Sequence, residues 1–177
     1  LGNTATLNDV VSATTINIQA DSINLNSFIE GSASVTLQPV TANRTLGLED
    51  ATQDINFTNP DLNLITTPLL TIGNSTAGSI LVGTDGSVSL GLIGTIALET
   101  AGGVTFQDNT FEVLGGLSID ADGTITDMAN AIISVPFLAS LGTAATDSIT
   151  LGDEVSNTTD FGTLTFNSTG SVTVSED

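Results

Sequence analysis

The chain has 177 residues, 40% of them hydrophobic and 12% charged, and its 20 acidic residues stand against one basic residue, Arg44, for a formal charge of −19. His, Cys, Lys, Trp and Tyr are absent. Without His or Lys, acid–base chemistry near neutral pH would need a strongly shifted carboxyl. Without Cys or His, thiol catalysis, disulfides, structural zinc, haem and iron–sulfur centres are excluded. One cation against this charge cannot track a phosphate backbone, which excludes nucleic acid as a partner.

The length suits one domain with a real core. Strong negative charge with few aromatics can signal disorder, but the mean hydropathy is positive and the aliphatics are evenly spread. No apolar run approaches the roughly 18 residues of a membrane helix, since the longest, Ala129 to Leu141, is broken by Pro136. The chain opens in mid-pattern at Leu1 with no initiator Met and no signal-like core. It reads as a piece of something longer or as a mature subunit, one repeat segment over 1–177.

In chain order, one short unit recurs: an apolar residue, a small or polar one, and an apolar one. It runs through Ile16–Ile18, Ile23–Leu25, Val35–Leu37, Leu46–Leu48, Ile55–Phe57, Leu70–Ile72, Ile80–Val82 and Val88–Leu90. It continues through Ile96–Leu98, Val104–Phe106, Leu117–Ile119, Ile149–Leu151, Leu164–Phe166 and Val172–Val174. Alternation over so few residues predicts short strands with one buried face. Ile80, Val88, Ile96 and Val104 open units at a constant step of 8. Antiparallel meanders favour tighter Asn-Gly or Asp-Gly hairpins, and only Asp85-Gly86 and Asp122-Gly123 occur. The pattern predicts an all-β fold, a right-handed parallel β-helix or β-solenoid. Coils of roughly 20–25 residues would give about seven to nine of them in a rod of roughly 35–45 Å.

Two stretches, 59–69 and 127–147, depart from the unit and are expected as irregular coils or excursions. The first carries Pro60 and Pro68, which cannot donate within a sheet. The second has loosely helical spacing at Met128, Ala129, Ile132 and Ile133, yet Pro136 and the run Ile132-Ile133-Ser134-Val135 favour a bent strand.

The segment Val35 to Leu48, followed by Asp61-Leu62, Thr67 to Gly73 and Gly78-Ser79-Ile80, resembles a recurrent element of large bacterial exoproteins. These are the filamentous-haemagglutinin-like adhesins of the two-partner-secretion type. The stretch Asp160 to Asp177 is similar to their stalk repeats. The resemblance implies a right-handed β-helix in an exported, surface-attached or shed fibre, and strand from Ala131 to Ile149. It transfers no active site, because the similarity is to stalk.

Clusters of acids are the remaining source of chemistry. Glu49-Asp50 with Asp54, Asp120 with Asp122, Asp153-Glu154 and Glu176-Asp177 are paired carboxylates of the kind a glycosidase or a cation site uses. No Trp or Tyr is present to stack a sugar, so solvated acidic turns are the plainer reading. Asp120, Asp122, Asp153 and Glu154 are the calcium candidates, although Gly123 comes too early and Ala131 stands where an EF-hand loop needs Glu. The triplets Thr4-Ala5-Thr6, Thr124-Ile125-Thr126 and Thr163-Leu164-Thr165 raise ice binding, but they are scattered, and β-propensity accounts for them. Glycosylation sequons stand at Asn43, Asn56, Asn74, Asn157 and Asn167. Phe57, Phe106 and Phe166 close units and should point inward, while Asn17, Asn24, Asn26 and Asn63 are candidates for amide ladders.

The expectation is a structural part of a secreted, extracellular or cell-surface filament, an adhesin stalk or subunit that associates with itself end to end, with no catalysis, cofactor or membrane insertion. The alternatives are a module that binds a glycan or a receptor on a host or neighbouring cell, and a polysaccharide-active enzyme on the same fold.

Overall fold

The computed structural model describes residues 3–144 and 146–176. About 2% of the chain is helical, and the rest is organised by parallel sheets stacked as a β-solenoid of about seven turns. In chain order the elements are β1 (Thr4–Leu7), β2 (Val11–Gln19), β3 (Ser22–Leu25), β4 (Ile29–Gln38), β5 (Leu46–Leu48), β6 (Ile55–Phe57) and α1 (Asn59–Leu62). There follow β7 (Ile65–Asn74), β8 (Ile80–Val82), β9 (Val88–Leu90), β10 (Ile93–Thr100), β11 (Val104–Phe106) and β12 (Thr110–Val113). The last are β13 (Gly116–Ala121), β14 (Ile125–Asp127), β15 (Ile132–Thr143), β16 (Ile149–Leu151), β17 (Thr158–Asn167) and β18 (Val172–Val174).

Each coil runs through three strand stacks. One contains β6, β5, β8, β11, β14, β16 and β18, with β1 and β3 as a separate pair. The other two are joined because β2, β4, β7, β15 and β17 run through the corner between them, whereas β9 and β10, or β12 and β13, divide there. The step of 8 is thus a walk around one coil. Ile80, Val88 and Ile96 lie on successive faces, and Val104 pairs back onto Ile80.

Stacking like on like builds the core. Ile18, Leu37, Ile72, Leu98, Ile119, Leu141 and Phe166 stand in register on seven rungs. Each inner side chain is covered above and below at the roughly 4.8 Å strand spacing, so even Leu and Ile are fully enclosed. The ladder opens at its ends: Leu141 is 1% exposed but Phe166, one rung on, is 56% exposed. Phe166 therefore lies on the apolar column without being buried, which corrects the expectation for it. Phe57 and Phe106 are buried as expected, and Phe106 meets Phe111 with ring centroids 5.1 Å apart.

The two departing stretches have specific forms. Thr58 caps α1, accepting from the Asp61 N–H while the Asp61 carboxylate accepts from the Thr58 N–H, and Pro60 sits in the first turn where its missing N–H costs nothing. Before it, β5 and β6 are parallel neighbours joined by only a short loop, an extra strand on that face. The second stretch is the long strand β15, whose register against β17 shifts between Val135 and Leu138, around Pro136.

The corner between the second and third stacks is tight. A Cβ on Gly115 would stand 1.8 Å from the Gly94 carbonyl oxygen of the coil below. Only glycine lets the two backbones approach this closely.

Candidate functional site

Of the acids predicted as pairs, Glu49, Asp50 and Asp54 are used as acceptors. Asp50 is fully buried in the turn after β5. Its carboxylate accepts from the Thr52 N–H at 3.0 Å, the Thr52 hydroxyl at 2.6 Å, the Thr84 hydroxyl at 2.7 Å and the Gln53 amide at 3.2 Å. Burial works against its charge, but these donors outweigh it and hold the carboxyl below the usual range. Glu49 accepts from the Asn59 N–H, and Asp85 accepts from the Ala51 N–H. Asp54 takes the Thr45 N–H and a 2.8 Å ion pair from Arg44, which together lower its pKa. Asp21 is likewise held low, first by the Thr41 N–H and then by its hydroxyl. Asp21, Asp50 and Asp54 are thereby held ionised, and Asp21, Asp50 and Asp85 each join successive coils.

Asp127 is the exception. It closes the unit Ile125-Thr126-Asp127 and stands in register with buried Phe106, so a carboxylate occupies an apolar rung. Burial pushes its pKa up, with the nearby charge of Asp153 adding to this, while the Gly152 N–H bonded to Oδ2 at 2.9 Å opposes it. Asp127 and Asn157 are each only 6% exposed, and Asp127 Oδ1 and both amide atoms of Asn157 make no hydrogen bond. The sequence signal was available: Ile125 opens a unit between Val104 and Ile149 whose third residue breaks the apolar rule. Asn157, one of the five sequons, is buried.

The calcium candidates are not brought together. Asp120, near the end of β13, and Asp122, in the turn that follows, lie exposed, as do Asp153 and Glu154 after β16. Among the described residues no group of three Asp, Glu, His or Cys is placed to hold a metal ion. Of the acidic pair Glu176-Asp177, Glu176 accepts from the Phe161 N–H, and Asp177 lies outside the described residues.

Polar columns run up the outer faces. Asn74 donates to Gln38 and Gln38 to Asn17, each at 2.9 Å, a three-coil amide ladder; Asn26 donates to Asn8 at 3.0 Å. Gln38 and Asn74 were not foreseen as members, because coil length had to be known to align them. Threonines stack in register at Thr36 and Thr71 and, in another stack, at Thr105, Thr126, Thr150 and Thr173, one per rung. The flanking column reads Gly103, Thr124, Ser148 and Ser171, so a Thr-x-Thr pair occurs on one of these rungs alone.

Two shallow grooves flank the tight corner. One, of about 560 Å³, lies between Ser12, Glu30, Thr66 and Leu92; the other, of about 400 Å³, is floored by Gly91, Gly94, Gly115 and Gly116 beside Phe137. Neither is lined by a carboxylate pair or by Asp127. No protein-family model, curated protein or solved structure matches the chain.

Proposed function

We propose that this chain is a structural segment of an extracellular or cell-surface fibre, a stalk of the filamentous-haemagglutinin-like kind, whose coils are continued at both ends by more of the same. The observation that supports this reading is the uncovered apolar ladder. Phe166 is 56% exposed on top of a column whose interior members are buried, and at the other end Ile18 and Val11 are only half-buried. An open rung also presents unpaired strand edges, which favour further pairing.

Electron microscopy of the native material tests this. Thin rods with an axial repeat near the coil spacing are expected, and globular particles would overturn the reading. In solution, Phe166→Asp should abolish concentration-dependent stacking. A chain that stays monomeric at high concentration with its ends intact would count against end-to-end association. The groove beside Ser12, Glu30 and Thr66 favours a second reading, a glycan- or receptor-binding module, for which dose-dependent retention on a glycan array is the measurement.

A further inference from the structure

A row of exposed apolar side chains follows the tight corner through four successive coils. Leu69 stands on the first, Leu92 on the second, Leu114 on the third, and Phe137 with Leu138 on the fourth. Phe137 is 62% exposed, Leu114 59% and Leu92 56%. The crowding of the glycine backbones explains the row: with no room for side chains between coils, the corner residues beside Gly94 and Gly115 turn outward. The corner segments 67–71, 90–97, 113–118 and 135–140 contain no charged residue, in a chain of net charge −19. The nearest acids are Glu112, two residues before Leu114, and Glu30, which lines the groove beside Leu92.

We infer that this edge is a lateral interface on which a second copy of the chain docks side by side, antiparallel, by a two-fold axis. The charge distribution selects the occupant. Two copies carrying −19 each repel wherever their acidic turns face one another, and this edge, whose corner segments carry no charge, lets them meet with Glu30 and Glu112 left at its border. The shape agrees, since a two-fold lays the bulky Phe137 end over the thinner Leu69 end and sets Leu92 beside the second copy's Leu114. The five side chains expose on the order of 500 Å² of apolar surface, as large as the main patch on an ordinary monomer. Two such edges bury about 1,000 Å², the low end for a specific pair, so the dimer is weak and reversible. It is also closed, unlike end-to-end stacking, which is head to tail and open. The inference stands whether or not the fibre reading does.

Sedimentation equilibrium of the whole chain at low salt and at ~0.5 M NaCl tests it, because screening should tighten the dimer roughly tenfold or more. Phe166→Asp, which blocks stacking at the end, should leave this dimer in place, while Leu92→Glu with Leu114→Glu should abolish it. Glu112→Gln should strengthen it at low salt. Because the chain has no Cys, a mixture of L92C and L114C chains gives an independent readout: mild oxidation should cross-link them, and F28C, on a different corner, should not cross-link. Monomers at every salt concentration, or a dimer indifferent to the paired Glu substitutions and without the L92C–L114C cross-link, would overturn the proposal. Flotation of monomers with phosphatidylcholine vesicles, lost in the Leu92→Glu, Leu114→Glu chain, would overturn it in favour of a lipid surface.

Discussion

Asp50 accepts the hydroxyl of Thr84 at 2.7 Å, joining the turns that follow β5 and β8 on adjacent rungs. Removing that donor with Thr84→Ala leaves the other Asp50 bonds in place and should cost about 1–2 kcal/mol. Asp50→Asn turns an amide N–H₂ toward donors and should cost about 3 kcal/mol, because a buried acceptor of several bonds becomes a clash of donors. Urea melts of both variants and of the double variant should show strong non-additivity.

Asp21, Asp50 and Asp54 have folded pKa values below the ordinary 3.8. Their contribution to stability is complete above 3.8 and is lost as pH falls through those lowered values. Asp127 is raised above 3.8, so the sign reverses. Its contribution is fully present below 3.8 and is lost as pH rises through its folded pKa. Asp127→Asn retains an acceptor for the Gly152 N–H and removes the buried charge. It should be more stable than wild type at pH 7 and lose that advantage as the pH approaches 3.8, as thermal melts across this range would show. An advantage independent of pH would mean that the carboxyl's ionisation is not the cause.

Gly115→Ala places its methyl 1.8 Å from the Gly94 carbonyl oxygen, where backbone has to move. A cost of about 3 kcal/mol is expected, which for a chain of this size lowers Tm by roughly 6–12 °C. Differential scanning calorimetry would measure it.

Position along the ladder should set the cost of truncation. Leu98→Ala, at a rung covered on both sides, should cost about 2–5 kcal/mol. Phe166→Ala, in the same column but more than half exposed, should cost under about 1 kcal/mol in the monomer. Equal losses in chemical denaturation would contradict the stacked-ladder account.

The sequence by itself determined the class of fold and most of the strands, leaving out β1, β12 and β14. The apolar–x–apolar unit reports which side chains face inward, and the step of 8 reports how far the chain walks between faces; both are local properties. Even the short helix has a local signal in Thr58-Asn59-Pro60-Asp61, a capping signature within one turn, although Pro60 and Pro68 by themselves predict only an excursion. What the tertiary structure decided is which coil lies on which. Only stacking places Asp127 on an apolar rung opposite Phe106, closes Asp50 onto Thr84, joins Asn17, Gln38 and Asn74, and lines up Leu92, Leu114 and Phe137 along one edge. These partners stand about one or more coils apart, and coil lengths vary because the corners hold different numbers of residues. A shift of one residue would exchange inside for outside, so the register that aligns them is set by packing of the whole column and cannot be read from any single unit.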